Sequence, residues 1–292
     1  MIIILTSLNN PLSPGPSIHS VLQEYCSSSL AAIDDTAVPY HDQLSRIFTE
    51  YRPKIVINCH EYPDIDAAEY EREAAYAING LFLASLSALC LDRDVKLIQL
   101  STSYVFSGRG GAPFREEDEP DPVSVYGDSK LLGERIIRES GCRHVIVRVP
   151  DLFGEGMPLV SSRLALKDDD GTLRVIRGQV TAAAYSGDLA RTISELISRD
   201  CRGIYHFSQE GAVATGEFIT RALDLCVHRG VTGKKYTVME TEKEDFLAPG
   251  ERPMYNVLDA GKMKGAAGTS VRGWEEALKD FISQNGRSII LT

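Results

Sequence analysis

Tyr126 and Lys130 lie four residues apart in VSVYGDSKLLGE, and a hydroxyl-bearing triplet, Ser101-Thr102-Ser103, ends an apolar run upstream of them. On a helix, residues at that spacing share a face. An ammonium beside a phenol favours the phenolate, drawing a group with a reference pKa of about 10 towards the range in which it exchanges protons. Tyr126 is therefore equipped to protonate a carbonyl that is being reduced, with the hydroxyl of Thr102 at a predicted strand end nearby. Chemistry of this kind needs a hydride donor beside the phenol.

The elements that would carry these residues follow from the hydrophobic pattern. Short β-branched runs at Ile2 to Thr6, Leu30 to Ile33, Lys54 to Asn58, Lys96 to Ser101 and His144 to Val149 alternate with amphipathic segments at Ile18 to Tyr25, Asp42 to Tyr51, Ala67 to Leu91 and Ser124 to Glu139. That alternation is the signature of βαβ units and predicts an α/β fold with a Rossmann-type, doubly wound parallel sheet over residues 1–150. After Pro150 the composition changes, and a smaller α/β substrate-binding region is expected over residues 151–292. Within it a helical stretch should lead into the acidic turn Asp168 to Gly171, and residues 180–207 should pack back on the first domain. Further helices are predicted near Gly216 to His228 and Trp274 to Gln284.

With 292 residues and a formal charge of −10, the chain can bury a large core and has no basic excess for nucleic acid or an anionic membrane. A small anionic substrate held by a few arginines is compatible with that charge. The six cysteines form no CxxC pair and have no histidine at metal-ligand spacing, so reduced, buried thiols are expected and no metal site. The MIIILT start is too short to span a bilayer and lacks a basic flank, which points to a cytoplasmic protein.

The turn after the first strand, TSLNNPLSPGPS, is where a dinucleotide fold places its glycines. Ser7, Asn10 and Ser13 stand at the expected glycine spacing, and Pro11, Pro14 and Pro16 offer no N–H to a phosphate. The sequence leaves two outcomes open: weakened or lost cofactor binding, or a loop of another shape that holds the cofactor through hydroxyls and Asn9. Asp34 and Asp35, at the end of the second strand, are placed to read an adenosine ribose, where an acidic residue would favour NAD over NADP, although Asp-Asp-Thr is also an ordinary turn. Cys59, His60 and Glu61 follow the third strand, where they would flank a cofactor, and Asp64 or Asp66 should cap the next helix.

STSYVFSG, FREEDEPDPVSVYGDSKLLGE, RPKIVINC, RVPDLFGEG, GIYHFS and ERPMYNVLD occur in an order that resembles the extended short-chain dehydrogenase/reductases, and within them the dTDP-4-dehydrorhamnose reductase family. The resemblance implies that Thr102 polarises the carbonyl and Tyr126 donates the proton, while Lys130 tunes Tyr126 and hydrogen-bonds the nicotinamide ribose. It implies NADP or NAD as cofactor, bound around Ser7, Asn9, Asn10, Leu12, Asp34, Cys59, His60, Asn79 and Lys130. A nucleotide-linked 4-keto deoxysugar would be the substrate, with Ser103, Arg148 and Arg252 on its side of the site. Arg148 and Arg252 could serve either a substrate phosphate or a structural ion pair.

The chain also departs from the family pattern. The Gly-x-x-Gly-x-x-Gly turn has no glycine across Thr6 to Ser13, Ser103 replaces the usual Asp, and Cys59 to Glu61 replace small residues. Asp151 stands where a Trp is expected, and the downstream motif survives only as Gly178-Gln179 before VTAAA. Arg148 to Gly154 is also similar to a pattern in the regulatory β subunit of methionine adenosyltransferase. The competing reading is thus a non-catalytic or regulatory binding subunit of the same fold, as a homodimer or on a partner protein.

Overall fold

The computed structural model describes residues 1–7, 13–34, 40–158, 160, 165–232, 236–268 and 270–286. The first part runs β1 (Ile2–Ser7), α1 (Gly15–Leu22), β2 (Ser28–Ile33), α2 (Tyr40–Tyr51), β3 (Ile55–Asn58), α3 (Ile65–Tyr70), α4 (Arg72–Tyr76), α5 (Phe82–Asp92), β4 (Lys96–Thr102), α6 (Val125–Glu139) and β5 (His144–Val149). Then come the short strands β6 (Leu152–Phe153), β7 (Leu166–Lys167), β8 (Thr172–Ile176), β9 (Val180–Thr181) and β10 (Ala184–Tyr185), followed by α7 (Ser186–Ser198) and β11 (Gly203–His206). The remainder holds β12 (Val213–Ala214), α8 (Thr215–His228), β13 (Thr237–Thr241), β14 (Tyr255–Asn256), α9 (Gly261–Ala267) and α10 (Trp274–Asn285).

Six parallel strands in the order β11-β5-β4-β3-β1-β2 form the main sheet. Both faces are covered, so the strands alternate between two cores. Ile2 and Ile4 pack with Ile18, Leu189 and Met263 on one side. Ile3 and Leu5 pack with Leu44, Phe48 and Phe82 on the other. From β1 the chain proceeds to β2 on one side and to β3 on the other, which opens a crevice between the carboxyl ends of β1 and β3. Ligands of open α/β sheets bind at such a switch point.

Two close approaches set the geometry around that crevice. A Cβ on Gly15, the first residue of α1, would collide with Thr6 Cγ2. A Cβ on Gly127 would collide with the carbonyl oxygen of Tyr104. Gly15 lets the start of α1 press onto β1 side chains, and Gly127 lets the start of α6 press onto the Tyr104 backbone. Thr6 to Ser13 has no glycine, and it is Gly15, past that span, that allows the close packing of α1 on β1 which one glycine of the fingerprint supplies.

The expected single helix Ala67 to Leu91 is broken at Glu71 (φ −105°, ψ 44°), and Ala77–Leu81 forms a π-helical turn between α4 and α5. By length and composition Arg72–Asp92 could cross a membrane, but 50% of its most apolar window is buried within the fold. Most of the helical stretch expected before Asp168 lies outside the described residues. Among the described residues there, Leu166–Lys167 pairs antiparallel with β8. Hydrogen bonds Asp168 N→Thr172 O and Gly171 N→Asp168 O close that hairpin, because the acidic Gly-ended turn reverses the chain.

A third core, with Phe153, Leu173, Phe218, Leu278 and Phe281, lies beneath β8, α8 and α10. The chain crosses back to the main sheet through β11 beside β5 and through α9, whose Met263 and Ala267 belong to the first core.

Candidate active site

β4 delivers Thr102 to the carboxyl edge of the sheet, in register with Val149 of β5. The Thr102 hydroxyl accepts a hydrogen bond from Tyr104 N (3.2 Å) as the chain enters a 3-10 turn at Ser103–Val105. Ser103 Oγ is buried and has no hydrogen-bond partner among the described residues. α6 starts over this turn, where Ser124 caps it by accepting from Gly127 N (3.2 Å) and Glu69 of α3 accepts from Val125 N (2.8 Å). The Tyr126 ring is buried and meets the Tyr104 ring edge-on, 5.8 Å between centroids.

One turn later Lys130 Nζ donates to the carbonyl of Leu100 (3.0 Å) and to Glu61 Oε2 (2.9 Å). The same carboxylate oxygen accepts from the Tyr126 hydroxyl at 3.4 Å. Tyr126 and Lys130 thus meet on Glu61 beside the β4 segment that ends in Thr102, and Glu61, expected beside a cofactor, is instead bonded to the Tyr/Lys pair, a contact the sequence did not show. The signal of Glu61 was a charge standing in a run of expected small residues.

The other assigned residues divide. Ser7 is buried at the end of β1 opposite Ile33, and the backbone of Asp34 is held on both sides by Gln43 (3.0 and 2.9 Å). Asn9, Asn10, Leu12 and Asp35 lie outside the described residues. Ser13 Oγ accepts from Gly15 N (3.3 Å) and donates to the carbonyl of Cys59 (3.2 Å), tying the start of α1 to the end of β3.

Cys59 and His60 were assigned to the cofactor, but their side chains are spent on packing. Cys59 belongs to the first core, and burial, with Glu61 adding to it, pushes its thiol far above the ordinary range. The His60 ring lies edge-on to Phe82 at 4.6 Å. Asn79, in the π turn, accepts from Tyr62 N (2.9 Å) and donates to Tyr62 O (3.1 Å) and Ser129 Oγ (3.0 Å). Its amide therefore shapes the crevice through the loop that carries Glu61.

Both arginines assigned to the substrate side fill the ion-pair role. Arg148 is buried against Glu134 (Nη2 to Oε2 2.7 Å, Nε to Oε1 3.0 Å), and Arg252 grips Asp66 through both Nη atoms, Nη2 at 2.8 Å. Burial alone would raise the Asp66 carboxyl, but bonds from Arg252 and Gly250 N hold it below the usual range. Hence Asp64, accepting from Asp66 N and Ala67 N, is the α3 cap. Asp151, in place of the expected Trp, accepts from Thr181 Oγ1 (2.9 Å) and Asn256 Nδ2 (3.0 Å). Among the described residues no group of ligating side chains could hold a metal.

Behind the site, His206 faces the carbonyl of Phe114 with Nδ1 (3.1 Å) and Arg148 Nη1 with Nε2 (3.4 Å). This arrangement suits the neutral ring, which donates from Nδ1 and accepts at Nε2. Burial, with Arg148 adding to it, lowers its pKa from 6.5 to about 3. Between those values the unfolded chain binds a proton that the folded chain does not. Stability should therefore fall as pH drops below 6.5, by up to about 1.4 kcal/mol per unit from this group. Urea unfolding across that range should show a shallower decline in His206→Gln than in the wild type.

The residues around the crevice fit a dinucleotide. Gly15 allows α1 to begin hard against β1, Ser13 ties that helix start to the end of β3, Asp34 directly follows β2, and Lys130 reaches the carboxyl edge from α6. The discordant group is the carboxylate on Lys130.

A parallel sheet opened at this switch point, with the helix that carries Tyr126 and Lys130 beside the fourth strand, is the architecture of an extended short-chain dehydrogenase/reductase. Within that class the chain belongs to the RmlD family: the family model described as RmlD substrate binding domain matches residues 21–286. Over 239 residues it is 34% identical to the spore coat polysaccharide biosynthesis protein SpsK of Bacillus subtilis, covering 81% of each chain. A solved dTDP-4-dehydrorhamnose reductase from Clostridium acetobutylicum is similar with a TM-score of 0.83 and 28% identity, over 97% of this chain and 99% of that one. The dTDP-4-dehydrorhamnose reductase of Bacillus anthracis, solved in complex with NADP, gives 0.82 and 27% over the same shares.

Proposed function

We propose that the protein reduces the 4-keto group of a nucleotide-linked deoxysugar, with NADPH or NADH as reductant and Tyr126 as general acid. The observation that carries this reading is the meeting of Tyr126 and Lys130 at the carboxyl edge of the sheet, beside the β4 end that carries Thr102, in a chain of this family. The start of α1, brought close by Gly15, would approach the pyrophosphate, Asp34 would hold the adenosine ribose and Lys130 the nicotinamide ribose. When bound, the nicotinamide supplies the hydride.

The chain's own residues do the rest. The Thr102 hydroxyl donates to the substrate carbonyl oxygen and withdraws electron density from the carbon. Tyr126 passes its proton to that oxygen as negative charge develops on it. Lys130, anchored on the Leu100 carbonyl, stabilises the phenolate left behind.

Glu61 on Lys130 supports a second reading, a binding or regulatory subunit with weakened cofactor affinity. Fluorescence titration with NADPH and NADH separates the two. Binding below millimolar concentration, with cofactor oxidation on addition of a dTDP-linked 4-keto-6-deoxysugar, is the expected result. No binding up to millimolar concentration overturns the redox reading.

A further inference from the structure

We propose that Glu61 holds Tyr126 as the neutral phenol, the form that donates a proton to a substrate carbonyl. The inference rests on the reading of Tyr126 as the acid/base residue and concerns a positioning residue that acts through it.

Lys130 is buried, and Glu61 Oε2 lies 2.9 Å from its Nζ and 3.4 Å from the Tyr126 hydroxyl. One ammonium is thus shared between a carboxylate that is already anionic and a phenol that would become so. Ionising the phenol sets a second negative charge against Glu61 and breaks the bond in which the hydroxyl donates to the carboxylate. Both effects favour the protonated phenol. A lysine without such a counter-ion would spend its whole charge on the phenolate.

The placement of Glu61 is built into the fold. On one side of it, the Asn58 side chain bonds the backbone N–H and carbonyl of His60 (3.3 and 3.4 Å). On the other, Asn79 bonds the N–H and carbonyl of Tyr62 (2.9 and 3.1 Å). Two asparagines therefore fix the loop immediately before and after Glu61.

The other ionisable groups around Tyr126 are committed elsewhere. On α3, Asp66 pairs with Arg252 and Glu69 accepts from Val125 N. Tyr62 donates to Glu71 and Tyr76 to Asp128. Tyr104 offers a ring edge, and the Cys59 thiol is held protonated.

In the reductive direction the substrate carbon takes a hydride from the cofactor and its oxygen takes the phenolic proton. The phenolate then recovers a proton from water, and the charge of Glu61 favours that return.

Labelling the tyrosines at Cζ allows the phenols of the cofactor-free full chain to be titrated by NMR, with the Tyr126 signal identified by its loss in Tyr126→Phe. In Glu61→Gln the Tyr126 midpoint should fall by about 1–3 pH units. Glu61→Ala should move it the same way, which guards against an altered pose of the amide. In both variants the alkaline fall of kcat/KM for reduction, where the phenol is lost as proton donor, should move to lower pH along with the midpoint. A midpoint unchanged or raised in both variants overturns the proposal. If the midpoint falls as expected while Tyr126→Phe keeps full activity, the acid/base reading of Tyr126 fails instead.

Discussion

Tyr126→Phe is expected to lower kcat for reduction of a nucleotide-linked 4-keto sugar by about 10²–10⁴-fold, the usual loss when a general acid is removed. The substitution deletes the hydroxyl and leaves the ring, which is buried beside Tyr104 in a cluster with Ile65, Ala68 and Val125. Packing is therefore retained, and the cost in stability should be about 1 kcal/mol, that of one modest hydrogen bond. KM should change little, because the lost proton transfer belongs to the transition state and not to substrate binding. Steady-state kinetics with urea unfolding of the same preparation separates these effects. Wild-type turnover in the variant would remove Tyr126 from the chemistry.

That experiment concerns the part of the site most legible in the sequence. A phenol and an amine four residues apart, on a helix opened by a serine cap, need only local rules to be placed on one face. The parallel strands were legible for a similar reason: β-branched runs buried on both faces lack the alternation of a solvent-facing strand. Residues whose roles depend on partners distant in sequence were not. The charge of Glu61 was visible, but its contact with Lys130 joins positions 69 residues apart through a loop whose path depends on Asn58 and Asn79.

Arg148 and Arg252 illustrate the same limit, since a guanidinium suits a phosphate and a carboxylate equally well and only burial beside Glu134 and Asp66 decides. Gly15 escaped notice because its role is a close contact with Thr6, not a position in a fixed spacing. The β7–β8 hairpin was obscured because short apolar runs carry too little periodicity to separate strand from helix.

Glu134→Ala is expected to destabilise the fold by about 3–5 kcal/mol, because it removes one partner of a buried ion pair and leaves the other charged. Glu134 lies four residues beyond Lys130, so Tyr126, Lys130 and Glu134 form one row on the sheet-facing side of α6. Both carboxylate oxygens are engaged: Oε1 accepts from Ser101 on β4, and Arg148 on β5 grips the group through Nε and Nη2. Arg148 in turn donates towards His206 on β11 and lies 5.0 Å from the Phe106 ring centroid. Without Glu134 its charge stays between strands with no counter-ion, and the helix carrying the acid/base pair loses its anchor to β4 and β5. Activity should fall along with stability. Replacing both partners, as Glu134→Leu with Arg148→Met, removes the uncompensated charge and should recover most of the lost stability. Urea unfolding of the wild type, the two single variants and the double variant measures this directly. A single variant as stable as the wild type would show that the pair does not hold α6 in place.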